Sequence, residues 1–240
     1  MKTVKKKIWI IGVLLLCAAM FYTVPVAAAK KTGWKVIKGK TYYFNNDGTM
    51  HKGFLKLNGK KYYFGEDGAA KKGFFIVESS NGSVSYFAQK DYSLVRNKWL
   101  YVKKNQWYYF DANGNPVKNQ WIQDGNNRYW MQEDGEMSKQ KWVYTEGQWY
   151  WVNAQGARAS NIWVEDGGSW YYMGGDGRMM TNTWLDYAGK WYYLTETGAA
   201  ARGWKELGEK WYFFNDSDCS MAKDTMVGQY RVDVNGVYIA

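Results

Sequence analysis

Histidine and cysteine are almost missing from this chain: His51 is the single histidine, and Cys17 and Cys219 are the two cysteines. A zinc amidase needs clustered His and carboxylate ligands, and a lone His beside Lys52 cannot supply them. Cys17 falls in an N-terminal segment expected to be removed, so only Cys219 would remain and no internal disulfide could form. Stability must then come from packing or from a bound ligand. No residue near Cys219 would lower its thiol pKa, and it reads as an unremarkable surface or cap residue. Blocks of like charge are also missing after the N-terminus. Lys/Arg alternate with Asp/Glu, which argues against a nucleic-acid footprint. The mature chain shows no helix-period pattern. The acids Asp47, Asp67, Asp134 and Asp176 sit in turns, where Asp is a turn former, so a glycosidase pair of carboxylates in a cleft is not suggested. No room for a catalytic domain is left, and the chain reads as a non-enzyme with no cofactor.

The first residues are of another kind. Met1 to Lys7 carries four lysines, Ile8 to Tyr22 is uncharged, and Ala27-Ala28-Ala29 follows. This is the pattern of a secretory signal peptide over residues 1–29, cleaved after Ala29. Fifteen apolar residues fall short of the ~20 that span a bilayer as a helix, so no membrane insertion of the mature chain is expected. Leu14-Leu15-Leu16 lacks the small residue that precedes a lipidated cysteine, which discounts Cys17. Removal of 1–29 takes the net charge from +10 to +6, mildly favourable toward an anionic wall polymer.

The abundant residues are aromatic: 19% of the chain, with 15 Trp and 21 Tyr, alongside 26 Gly. Cores are ordinarily built from Leu, Ile and Val, so flat rings are being used for something else. They repeat. Leading aromatics stand at Trp34, Phe54, Phe74, Trp99, Trp121, Trp142, Trp163, Trp184 and Trp204, mostly 20–22 residues apart. After each comes a turn, an aromatic cluster such as Trp107-Tyr108-Tyr109-Phe110, and a second turn such as Asp134-Gly135 or Asp176-Gly177. Two-residue loops such as Asn58-Gly59, Glu146-Gly147 and Gly167-Gly168 between aromatic strands mark each unit as a β-hairpin. One hairpin cannot bury enough to stand alone, so the fold class expected is all-β, a solenoid of stacked hairpins.

Hairpin register assigns faces. A Gly167-Gly168 turn sets Trp163 opposite Tyr172, Val164 opposite Tyr171 and Glu165 opposite Trp170. Paired residues share a face and faces alternate along a strand. Trp163, Trp170 and Tyr172 therefore share one side, while Tyr171, Met173 and Val164 point to the other. The same arithmetic groups Trp142, Trp149 and Trp151; Trp184, Trp191 and Tyr193; and Trp204, Trp211 and Phe213. The Trp99 unit, with a longer turn, offers Trp99, Trp107 and Tyr109. The Trp121 unit has Arg128 where the middle Trp would be, leaving Trp121 and Trp130. Thr41 and Lys61 take that position in the first two units, and the third has no Trp, so residues 30–97 are expected to be degenerate or structural repeats. Residues 98–223 are expected to carry the triads.

Tyr108, Phe110, Tyr150, Tyr171 and Tyr192, opposite the triads, read as core. On the triad face, Trp recurring where Leu would pack more simply suggests a box. Directly opposed residues lie ~5 Å apart, and a cation within ~6 Å of a ring centroid is attracted by the ring quadrupole. A quaternary ammonium suits such a box, as does the C–H face of a sugar. Met50, Met137 and Met179 could line the boxes or fill packing gaps.

The Gly-Trp leaders (Gly33-Trp34, Gly203-Trp204), the Trp-Tyr-Tyr cluster and the Asp-Gly-x-Met closure (Asp47-Gly48-Thr49-Met50, Asp134-Gly135-Glu136-Met137, Asp176-Gly177-Arg178-Met179) resemble the choline-binding or cell-wall-binding repeats of Gram-positive surface proteins. The resemblance runs from Lys31 to about Lys223, and residues 224–240 resemble the closing hairpin of such arrays. It implies a hairpin solenoid attached non-covalently to the cell wall, with choline of teichoic or lipoteichoic acid held between successive hairpins by rings of both. The boxes led by Trp142, Trp163 and Trp184 are the best candidates, and that led by Trp99 the next. Related repeats bind α-glucan or other polysaccharide, so carbohydrate stays open as the ligand. An adhesin binding a host protein through residues 30–97 is a third reading.

Overall fold

The structure is a computed structural model, and it describes residues 30–80, 82–102 and 105–239. The expected signal peptide lies outside the described residues. These residues form nine two-stranded antiparallel hairpins followed by a three-stranded sheet, Thr225–Val227, Tyr230–Val232 and Tyr238–Ile239. No strand of one hairpin forms a ladder with a strand of another, though isolated bridges such as Tyr150–Arg178 link successive units, and no helix occurs among the described residues. In the hairpin Ile162–Asp166/Ser169–Met173, Trp163 pairs with Tyr172, Val164 with Tyr171 and Glu165 with Trp170, the register expected from the turn. Gly167 and Gly168 take φ of 58° and 78°, the consecutive left-handed pair that matches the right-handed twist of the strands.

The core is a column with one residue per unit, taken from the end of each second strand. Phe64, Phe110, Met131, Val152, Met173, Leu194, Phe214 and Val232 are each 0% exposed. Neighbouring hairpins are joined by the loop after the closing turn, whose amides reach two hairpins in succession. Met137 N–H donates to Trp107 C=O at 2.8 Å in the preceding hairpin, while Ser138 N–H donates to Trp130 C=O at 2.9 Å in its own. The pattern recurs with Met179 to Trp149, Ala200 to Trp170 and Met221 to Trp191. Each staple fixes the residue after the turn against the middle ring of the hairpin before it. Exposed ion pairs repeat between units as well: Lys40–Asp67, Lys60–Asp91 and Lys190–Asp218, at 2.8–3.0 Å. Pairs so open to water contribute ~0–1 kcal/mol each.

These staples set the stacking sense, which is what builds the site. The leading-Trp face of one hairpin packs on the opposite face of the next. Trp184 thus lies 5.7 Å from the column residue Phe214 and 5.0 Å from Tyr212, both of the following unit.

Candidate ligand-binding cages between successive hairpins

Each cage takes its leading and middle Trp from one hairpin and one or two further rings from the unit after it. Trp184 meets Trp191 at 6.3 Å and 78° and Tyr212 at 5.0 Å and 71°. These near-perpendicular walls, with Met221 and Lys223, line a cavity of about 540 Å³. Trp99, Trp107, Tyr129 and Met137 line a corresponding cavity of about 500 Å³. Around Trp163 the walls are Trp170, Tyr192 at 4.9 Å and Tyr187 at 6.1 Å, enclosing about 270 Å³. Trp142 repeats the geometry with Trp149 at 6.3 Å and 87° and Tyr171 at 5.0 Å and 77°. The last cage, about 340 Å³, has Trp204 and Trp211 facing Tyr230 and Tyr238 of the terminal sheet. These volumes are near the lower end of the ~300–1,000 Å³ of small-ligand sites.

The cavities led by Trp99, Trp163 and Trp184 are lined by Trp107, Trp170 and Trp191 with tyrosines of the next unit, while Tyr109, Tyr172 and Tyr193 lie beside their leading Trp within its own hairpin. Each is the directly paired cross-strand neighbour of its Trp, 5.2–5.4 Å away and edge-on. Trp151 stands in the same relation to Trp142, at 5.2 Å and 71°. Each of these rings packs edge-on against its leading Trp across the strand pair. Conversely, Tyr171 and Tyr192 are more than core: they face the leading Trp of the preceding hairpin and supply its third wall. Tyr150 and Tyr108 occupy equivalent places beside Trp121 and Phe74, at 5.3 and 5.4 Å. Phe110 is pure core, fully buried. The signal that could have found these tyrosines is a Tyr eight residues after each leader from Trp121 to Trp204, as constant as the Trp itself.

Not every cage is open. Lys61 stands where the middle Trp would be, and its ammonium lies 4.2 Å from the Phe54 ring centroid and 5.6 Å from that of Tyr86. Burial, then the nearby Arg96 and Lys56 charges, lowers its pKa from the usual lysine range. At Trp121, the Arg158 guanidinium lies 5.8 Å from the Trp121 ring and 5.9 Å from the Tyr150 ring. It occupies the position after the closing turn that Met137 and Met221 take at open cages. Burial lowers its pKa as well, followed by the Arg128 charge. At Trp34 the space is taken by a ring: Tyr92 stacks at 6.3 Å and 29°, its hydroxyl accepting from Thr41 Oγ1 at 2.9 Å. The first two cages and the fifth are therefore filled by the chain itself.

Electrostatic detail distinguishes the open cages. Asp124 accepts a 2.8 Å hydrogen bond from Trp99 Nε1, and Asp166 accepts one of 3.0 Å from Trp142 Nε1. Each fixes an indole and places negative charge at its N–H edge, favouring a cation nearby. Burial raises the Tyr192 pKa, so its phenol is neutral. His51 is tied structurally to Asn45 Oδ1 and Phe54 C=O, at 3.0 and 3.2 Å. Cys219, expected as a surface or cap residue, is 1% exposed, holds φ of 60° where most other closing turns have Gly and the third has Tyr92, and accepts from Arg202 Nε at 3.2 Å. Among the described residues, no group of three or more His, Cys, Asp or Glu is placed to hold a metal ion.

Comparison with known proteins gives the same units. Residues 31–56 and 51–99 match one choline-binding repeat family and 115–157 a second, while 97–115, 161–179, 182–200 and 203–217 match a cell wall binding repeat family. Comparison with curated proteins returned no match. Among solved structures, the choline-binding domain of CbpL from Streptococcus pneumoniae is 30% identical with a TM-score of 0.64, covering 79% of this chain and 98% of that one. CbpJ from Streptococcus pneumoniae TIGR4 is 26% identical with a TM-score of 0.57, covering 87% and 94%. The modular autolysin LytC of Streptococcus pneumoniae, solved with a synthetic peptidoglycan ligand, shares the fold at 24% identity and a TM-score of 0.71, but the match covers only 47% of its length. By repeat, register and these likenesses together, the chain belongs to the choline-binding repeat family of cell-wall-binding proteins.

Proposed function

We propose that the chain, exported by residues 1–29, attaches non-covalently to the cell wall by holding choline groups of teichoic or lipoteichoic acid in the cages led by Trp99, Trp142, Trp163, Trp184 and Trp204. It performs no chemistry of its own and carries no cofactor. Residues 30–97 serve as a structural stem, residues 98–223 carry most of the open cages, and residues 224–240 complete the last one. The observation that carries this reading is the molecule's treatment of its sibling cages. Where Trp121 and Phe54 lead, the space between rings holds the chain's own cation, from Arg158 and Lys61. A gap that accepts an internal guanidinium or ammonium is suited to an external quaternary ammonium, whose weak hydration makes its transfer easier still.

One such contact contributes ~0.5–2 kcal/mol, and three rings make a site near the millimolar range, ~4 kcal/mol. A polymer carrying many choline groups turns several weak sites into firm attachment, because later engagements are intramolecular. Carbohydrate is the second reading, favoured by the outward rings of Trp149, Trp170, Trp191 and Trp211, each 38–44% exposed. Titrating the mature protein with choline and, in parallel, with dextran while following Trp fluorescence separates the two. A response to dextran alone would remove the choline assignment.

A further inference from the structure

Two of the open cages carry a positive charge at their rim, which a site for a bare cation would not favour. Lys139 lines the Trp99 cavity and Lys223 the Trp184 cavity. Each follows its cage methionine by two residues, in Met137-Ser138-Lys139 and Met221-Ala222-Lys223. The methionine amides are stapled to Trp107 C=O at 2.8 Å and Trp191 C=O at 2.7 Å, so both lysines start from the same place relative to their rings. The Lys139 ammonium donates only to neutral acceptors, Asn105 C=O at 2.6 Å and Asn105 Oδ1 at 2.9 Å. Neither lysine takes part in an ion pair among the described residues. No carboxylate lines the Trp184 cavity, so the Lys223 charge is uncompensated there, while at the Trp99 cavity Asp124 shares the lining with Lys139 but is engaged by Trp99 Nε1. The conflict disappears when the ligand carries an anion next to its cation.

We propose that Lys139 and Lys223 make the Trp99 and Trp184 cages selective for a zwitterionic phosphodiester of choline over free choline: the quaternary ammonium enters the rings and the phosphate pairs with the rim lysine. The inference rests on the cage reading above and adds the group to which the ammonium is attached. The chain supplies its own control. At the Trp142 cage the same staple, Met179 N–H to Trp149 C=O at 2.8 Å, is followed by Met180-Thr181, so Thr181 stands where the lysine would be.

The test is a titration of the full mature chain, with the Trp indole N–H signals followed by NMR, using choline and glycerophosphocholine as probes at low and high salt. At Trp99 and Trp184, glycerophosphocholine is expected to bind about two- to fivefold more tightly than choline, the size of a solvent-exposed ion pair. The preference should fade at high salt, and Trp142 should show a ratio near one. Lys223→Met should abolish the preference at Trp184 while choline still binds there; Lys139→Met should do the same at Trp99. Equal ratios at all three cages, or a preference that survives Lys223→Met, would overturn the inference and leave the cages standing as choline sites. No shift with either probe would overturn the cage reading itself. Cosedimentation with phosphatidylcholine vesicles and, separately, with phosphocholine-bearing wall polymer distinguishes the two sources of this chemistry. The Lys139→Met/Lys223→Met chain should bind whichever is captured more weakly, and undiminished capture counts against the proposal.

Discussion

The Trp163 cage offers the sharpest test of how the site is assembled, because its walls come from two hairpins with different structural duties. Trp170 is 38% exposed and makes none of the ring–ring contacts that tie the column together; its carbonyl accepts the Ala200 staple through the backbone, which an alanine keeps. Trp170→Ala should therefore remove one ring wall, worth ~0.5–2 kcal/mol, and weaken choline at this cage about two- to thirtyfold. The melting temperature should move little. Tyr192 packs on Trp163 at 4.9 Å and joins the cluster around Leu194. Tyr192→Ala should cost binding by a similar factor and stability as well. For a half-buried ring the stability loss is about 2 kcal/mol, roughly half of the ~3–5 kcal/mol for a buried aromatic, or ~4–8 °C in melting temperature. Tyr192→Phe keeps the ring and should leave both unchanged. The assay is choline titration followed at the Trp163 indole N–H, beside thermal melts of each variant. If Tyr192→Ala binds choline at Trp163 as the parent does, the cage does not span two hairpins and the assignment fails.

Three further predictions bear on the rest of the array. Replacing Arg158 by Met and Arg128 by Trp should open the cage at Trp121, adding a choline-dependent shift of its indole N–H; a silent Trp121 would show that the internal guanidinium is not what closes it. Gly198 holds φ of 84°, left-handed backbone that a Cβ disfavours, so Gly198→Ala should destabilise by about 1–2 kcal/mol, and an unchanged thermal melt would refute that strain argument. The Asp218 carboxyl is held down at about 2, first by its hydrogen bond from Lys190 and then by Ser220. A depressed carboxyl stabilises above its unfolded value of ~3.9 and loses that contribution as pH falls toward 2. Both side chains are about half exposed, so the effect is under ~1 kcal/mol. The melting difference between the parent and Asp218→Asn should shrink between pH 4 and 2, and a constant difference would assign the shift to no stabilising contact.

The sequence carried the hairpins because their determinants are local. Gly167-Gly168 fixes a two-residue turn, the turn fixes register, and period-two alternation then places Trp163 with Trp170 and Met173 on the far side, as observed. What could not be read is which face of one ribbon meets which face of the next. That depends on staples between residues about 30 apart, such as Met221 N–H to Trp191 C=O, and no period in a single strand encodes them. Hence Tyr192 read as core although it lines the Trp163 cavity, and Tyr172, read as a ligand ring, is the cross-strand partner of Trp163. The burial of Cys219 was hidden for a related reason: its turn is one residue longer than its siblings, and the extra length carries a left-handed residue inward.

The staples also explain how an array of similar units comes to contain unlike sites. Each cage depends on two positions in separate hairpins, the middle residue of one and the residue after the closing turn of the next. Trp191 with Met221 leaves a gap, whereas Arg128 with Arg158 fills it and Lys61 fills it from the other position alone. Because neither position belongs to the buried column, exchanging a ring for a cation there alters what the cage holds and leaves Phe64, Val152 and Leu194 in place. Open and closed cages can therefore alternate along one solenoid without a change in its fold, and the spacing of open cages, rather than the depth of any one, sets which polymer geometry the chain can engage at several points at once.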